Sequence, residues 1–301
     1  MASTAPLPDF RSQFSKDIVC FTRPQFTGIL TMKLPLLAVL AASGLASELS
    51  AGVVRSGFDS TSLGRNDDSS SIARSLEFSS AINFGGTSFT ELYVNNNGNV
   101  TFASPLSAFT PFGLASLNRA VIAPFFADVD TRNAASGVTR YGTGFVDGHA
   151  AFGVTWKDVG YYNQKADKLN SFQLVLIDRK DTGVGNFDFE FNYDKIQWEA
   201  GDASRGASGL GGTTASIGFA FPKSGSVFQL GGSGTAGSFL DANSATGLIY
   251  NSKGGTNGRY LYQVRAGAVL DPTPIPEPAS IVFGLALAGV CASGRMRRAR
   301  R

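Results

Sequence analysis

The chain has 301 residues, of which 43% are hydrophobic and only 16% charged, with 36 Gly, 24 Phe, 2 Cys and 1 His. Low charge with abundant Gly and Phe describes a β-rich exported protein. One histidine and two cysteines exclude a Cys/His zinc site and a disulfide scaffold. The net charge of +3 belongs to the ends: the first 33 residues carry +2, the last seven +5, and the body between them −4. A body without a basic stripe cannot neutralise a run of phosphates, so no nucleic acid is expected as a partner.

Met32-Lys33 opens a short positive region, followed by the apolar run Leu34–Leu40 and small residues ending in Gly44 and Ala46. These are the three parts of a secretory signal peptide, 32–46. Residues 1–31 are polar, mixed in charge and aperiodic. We read them as an upstream stretch before a start at Met32, the alternative being a long leader. Residues 47–80, Ser-rich with Asp67-Asp68, form a lead-in that is either loosely structured or an edge element.

From Ile82 onward, short apolar runs alternate with Gly/Asn/Asp/Ser clusters, which predicts an all-β domain over 81–267. The clearest strand is 187–193, Phe-Asp-Phe-Glu-Phe-Asn-Tyr, aromatic on one face and polar on the other. Phe152, Val154 and Trp156 alternate in the same way. The nearly continuous apolar run Phe172–Ile177 predicts a central strand buried on both faces. Further strands are expected at Phe89–Val94, Asn99–Phe102, Val121–Phe126, Ser216–Phe221 and Tyr260–Arg265. Between the first two of these, Asn95-Asn96-Asn97-Gly98 predicts a tight hairpin. Roughly ten such strands suggest a two-sheet antiparallel β-sandwich with a Phe-rich core, large enough to stand without disulfides. The Gly-rich stretches 201–212 and 231–237 are expected to be long mobile loops.

Residues 268–278 form a Pro-rich spacer with prolines at 272, 274, 276 and 278. An apolar segment follows over 279–294, about 24 Å long if helical, and five arginines close the chain. We read this as a single transmembrane helix whose arginines stay cytoplasmic, which places the body on the outer side. Pro276-Glu277-Pro278, the apolar segment and the terminal basic cluster together resemble the PEP-CTERM sorting signal, 276–301. That resemblance implies a protein exported by a Gram-negative, exopolysaccharide-producing bacterium. It also implies that an exosortase-type membrane protease recognises Pro276, Glu277 and Pro278 and removes the tail, so that the protein is membrane-anchored only transiently.

Residues 92–102, Leu-Tyr-Val-Asn-Asn-Asn-Gly-Asn-Val-Thr-Phe, precede 123–132, Ala-Pro-Phe-Phe-Ala-Asp-Val-Asp-Thr-Arg. This order resembles the NIDO, or nidogen-like, extracellular domain, and Val138–Tyr141, the 152–156 strand, 172–177 and 187–198 continue it through about residue 220. The resemblance implies a module of matrix and cell-surface proteins associated with adhesion. The chain lacks the disulfide-rich neighbours of animal relatives, so no particular matrix partner is carried over.

Several constellations could carry chemistry. Asp128 and Asp130, with Asp147 further on, offer oxygen ligands for calcium. Alternatively the Asp-Val-Asp pair, whose carboxylates would point to one side of a strand, is held by Arg132 in a structural ion pair. His149 precedes a strand, and with no Gly-x-Ser-x-Gly elbow it gives nucleophilic hydrolysis little support. Asp188 and Glu190 share a strand face that we read as solvated, although a carboxylate pair could in principle serve a glycosidase. Tyr161 and Tyr162, expected in an exposed loop, are candidate sugar-binding residues, together with Trp156, Tyr193 and Trp198, for which core packing is the default. The sequence therefore predicts an exported, adhesion-type module that binds extracellular polysaccharide or surface proteins without catalysis. A secreted glycan hydrolase and a purely structural matrix component are the rivals.

Overall fold

The computed structural model describes residues 52–221 and 226–270. The upstream stretch 1–31, the signal peptide 32–46, the sorting residues Pro276, Glu277 and Pro278 and the helix at 279–294 lie outside the described residues. Among the described residues, no helix is long and apolar enough to cross a membrane.

The described chain is all-β, with antiparallel strand pairing throughout. In chain order the strands are Thr61–Ser62 (β1), Arg74–Ser75 (β2), Ile82–Phe84 (β3), Thr87–Phe89 (β4), Glu91–Asn95 (β5), Asn99–Thr101 (β6), Val121–Phe126 (β7) and Thr139–Val146 (β8). They continue with His149–Tyr161 (β9), Lys165–Asp178 (β10), Phe187–Lys195 (β11), Ser216–Phe221 (β12), Ser226–Gln229 (β13), Arg259–Arg265 (β14) and Ala268–Leu270 (β15). One sheet runs β1-β8-β9-β10-β11-β14-β15, a second β13-β12-β7-β6-β5-β2, and β3-β4 is a separate hairpin.

Period-2 alternation explains the core. Phe187, Phe189, Phe191 and Tyr193 of β11 are all buried, and Phe189 meets Phe219 of the other sheet edge-on at 5.6 Å. Phe125 of β7 and Phe172 of β10 make a second crossing, 5.3 Å between ring centroids. Residues of both large sheets thus share one hydrophobic cluster. The central position predicted for 172–177 holds: β10 lies between β9 and β11. Phe172, Leu174 and Leu176 face the shared core. Val175 and Ile177 join a smaller cluster with Phe58, Val146 and Ala151.

That smaller cluster shows what the lead-in does. Phe58 lies against Gly153 of β9, where a Cβ would come within 2.3 Å of its ring, so glycine is what allows the lead-in to lie on the sheet. β1 then pairs with β8, and β2 with β5, making the lead-in an edge strand of each sheet. At the other end, β15 pairs with β14, so the sheet runs three residues into the stretch we assigned to the spacer. The Gly-rich segment 201–212 is a chain of hydrogen-bonded turns. Gly206 N–H donates to Gly201 O and Thr213 N–H to Ser204 O, and the Glu199 carboxylate accepts from Gly211 and Gly237.

The polar face of β11 is not solvated, contrary to expectation. Asp188 and Glu190 are buried. Arg55 of the lead-in donates to both Glu190 oxygens at 2.6 and 2.8 Å. Asp188 accepts from Arg179 at 2.8 Å and from Arg265 at 2.6 Å. A strand in mid-sheet whose outer face is covered can keep carboxylates there only if cations accompany them, because an unpaired buried charge is costly.

Candidate functional site

The Asn95–Asn99 hairpin builds one corner of the domain. Its strands close with Asn95 opposite Asn99, and Gly98 takes φ 71° with its Cα so close to Phe125 O that a Cβ would fall 1.8 Å from it. Buried Asn96 and Asn97 act as brackets. Asn96 Nδ2 donates to Val129 O at 2.6 Å and to Asp67 O. Asn97 Oδ1 accepts from Val129 N–H at 3.0 Å, while its Nδ2 donates to Asp68 Oδ1 at 2.8 Å. Trp156 Nε1 donates to Asn96 O at 2.9 Å, fixing the corner to β9. The two amides thereby tie the lead-in at 67–68 to the segment after β7.

Asp128 and Asp130 lie in that segment, beyond the end of β7, so they are not a pair on one strand face as predicted. Both are buried, but their surroundings differ. Asp130 accepts from Arg132 Nε at 2.9 Å and from the backbone of Arg132 and Gln164 at 3.0 and 2.8 Å. Burial acts to raise its pKa, but these donors outweigh it and hold the carboxyl below its ordinary value. The ion-pair alternative is therefore correct for Asp130. Asp128 instead turns toward Asp67 and Asp68, with one carboxylate oxygen of each of the three within 4.8 Å of the others. Burial, followed by the charges of Asp67, Asp68 and Asp130, pushes Asp128 up to about 7. Asp67 is raised to about 6, again mainly by burial and then by Asp130 and Asp68, although Arg132 opposes this from 3.0 Å. Asp147 sits in the β8–β9 turn and is not part of this group.

The tyrosine pair is not an exposed platform. Tyr161 ends β9, is 1% exposed, lies 5.5 Å from the Trp198 ring and donates to Asp167 Oδ1 at 2.9 Å. Tyr162 is half-buried beneath the Arg132 guanidinium, 5.9 Å from its ring centroid. Trp156, Tyr193 and Trp198 are core residues, in line with their default. A strand-edge aromatic pair reads as a loop when the length of β9, thirteen residues, cannot be inferred from its sequence. His149 opens β9 with Nδ1 3.8 Å from Asp181. Asp188 and Glu190 are bound in arginine pairs, an arrangement unlike a carboxyl pair free to exchange protons with a sugar.

Asp67, Asp68, Asn96 and Asn97 were not singled out as site residues from the sequence. Adjacent acids in a Ser/Asn-rich stretch are ordinary loop composition and give no signal of a site. Their partner Asp128 is some sixty positions away, and only the fold closes that distance.

The nidogen-like domain model matches residues 90–266. The chain belongs to the nidogen-like domain family. Alpha-tectorin from mouse is 34% identical over 194 residues, covering 56% of this chain and 9% of the relative. The human protein gives the same figures. Nidogen from Drosophila melanogaster is 29% identical over 221 residues, 65% of this chain and 15% of the relative. The chain thus spans only a small part of the relatives it matches. No solved structure matches it.

Proposed function

We propose that this protein is an exported surface module, a two-sheet sandwich that binds extracellular polysaccharide or neighbouring surface proteins. It is a non-enzyme in this reading, delivered by its leader and sorted through its PEP-CTERM tail. The observation that carries the proposal is the nidogen-like domain over 90–266, since such modules occur in extracellular matrix proteins. The Pro276-Glu277-Pro278 motif, apolar segment and arginine cluster supply the bacterial sorting context. The arginine pairing of Asp188 and Glu190, which leaves neither free for acid–base work, supports binding over hydrolysis.

The test is fractionation and intact-mass analysis in an exosortase-bearing, exopolysaccharide-producing Gram-negative host. The wild type should be found outside the cytoplasm with a C-terminus near the proline run. A Glu277→Ala variant should keep its arginines and stay with the membrane. Mature wild-type protein in the cytoplasm, or extracellular protein still ending at Arg301, would overturn the proposal.

A further inference from the structure

We propose that Asp67, Asp68 and Asp128 form a binding site for one hard divalent cation, calcium. Proximity of acids alone would not carry this. The second observation is that Asp128, a member of the group and 1% exposed, has its Oδ2 buried without a hydrogen-bond donor. Of the five buried side-chain polar atoms lacking a partner among the described residues, two are in this corner, Asp128 Oδ2 and Asp67 Oδ1. Buried carboxylate oxygens are nearly always satisfied, so two orphans on members of one acidic cluster call for a cation.

The protein's own cation does not fill that role. Arg132 is engaged by Asp130 and reaches only Asp67 Oδ2. Asn97 Nδ2 is spent on Asp68 Oδ1 and Ala108 O. Three carboxylates without nitrogen or sulfur ligands select a hard ion, and calcium accepts six to eight oxygens in flexible geometry, with water completing the shell. Gly201 packs directly against the orphan: a Cβ there would lie 2.5 Å from Asp128 Oδ2, so a side chain at 201 would displace the carboxylate. Bound calcium would add to the contacts that already join the lead-in to the segment after β7, made through the Asn96 and Asn97 amides and directly between Asn66 and Thr131.

Only the choice of calcium over magnesium rests on the proposed extracellular location; the site itself rests on the corner's geometry. The test uses the full chain purified in detergent, stripped with EDTA and titrated with calcium chloride by calorimetry, with melting curves in parallel. We expect one calcium per chain, a Kd of roughly 10⁻⁴–10⁻³ M, and a melting temperature about 2–4 °C higher in saturating calcium. Asp128→Asn and Asp68→Asn should each weaken binding at least about tenfold, while Asp167→Asn should leave it unchanged. Should Asp128→Asn fail to fold, the half-exposed Asp68→Asn variant decides the matter. The site is refuted if wild-type protein gives no binding heat and no calcium-dependent melting shift, as it would if a shared proton held the corner together. It is refuted equally if a folded Asp68→Asn or Asp128→Asn variant binds as tightly as the wild type. Neither outcome bears on where the protein is located in the cell.

Discussion

Two regions of this domain bury carboxylates, and they treat them in opposite ways. On the outer face of β11, Asp188 and Glu190 each receive guanidinium donors, from Arg179 and Arg265 and from Arg55. In the corner beside the Asn-rich hairpin, Asp67, Asp68 and Asp128 converge with two oxygens left without donors. The first arrangement is complete and belongs to the fold. The second is short of positive charge, the imbalance on which the proposed cation site rests. Burial alone therefore does not distinguish a structural carboxylate from a ligand-binding one. The inventory of donors around it does.

The inner face of β11 sets the energy scale for that contrast. Phe189→Ala removes a ring in contact with Phe191, Phe219 and Tyr262 and should cost about 3–5 kcal/mol in denaturant melts. A loss below 1 kcal/mol would mean that this face is not core. On the outer face, Asp188→Ala leaves Arg179 and Arg265 without their shared partner. Because both arginines retain some access to water, we expect a loss of about 2–3 kcal/mol, below that of a fully buried pair. A neutral result would make the outer face an ordinary solvated surface and dissolve the comparison.

The acidic corner should respond with the opposite sign. In EDTA at neutral pH, Asp128→Asn removes a carboxylate that burial and three neighbouring acids disfavour, and its amide can donate to Asp67 or Asp68. The variant should be more stable than the wild type by about 1–2 kcal/mol, measured by thermal or urea melts. Destabilisation of the folded variant would show that the corner needs the charge even without an ion.

The smallest effect sharpens the contrast at the surface. Asp158 is held below its ordinary pKa, first by the hydrogen bond from Lys195 and then by that cation's charge, against the effect of burial. A carboxyl with a lowered folded-state pKa contributes stability above its unfolded-state pKa and loses it as pH falls through the folded-state value. Asp158→Asn should therefore cost about 0.5 kcal/mol at pH 7, screened because the pair is partly exposed, and less at pH 3. An equal cost at both values would assign the effect to packing rather than charge.

Much of the fold was legible because strand periodicity is local. The aromatic alternation of 187–193 and the runs at 121–126 and 216–221 occupy strands at or near their predicted bounds, and the apolar run 172–177 lies inside a strand that begins seven residues earlier, at Lys165, since a side-chain period of two needs no distant partner to be recognised. Gly98 marked its hairpin for the same reason. The readings that failed were those in which a distant segment supplies the environment. Asp188 and Glu190 carry the same alternating pattern whether water or Arg55 covers them, and Arg55 lies 135 positions from Glu190. Tyr161 reads as a loop residue until Trp198 packs on it.

By itself, then, the sequence determined the class of the body, the strands that carry its aromatic face, and a family resemblance that the domain match bears out over 90–266. Tertiary structure decided which carboxylates are neutralised and which are not. Arg132 satisfies Asp130 from two residues away, a local event, whereas Asp128 meets Asp67 and Asp68 only after the lead-in has crossed to the corner and the buried asparagines have bracketed it there. Charge balance in a folded protein is summed over space, and the order of residues along the chain does not carry that sum.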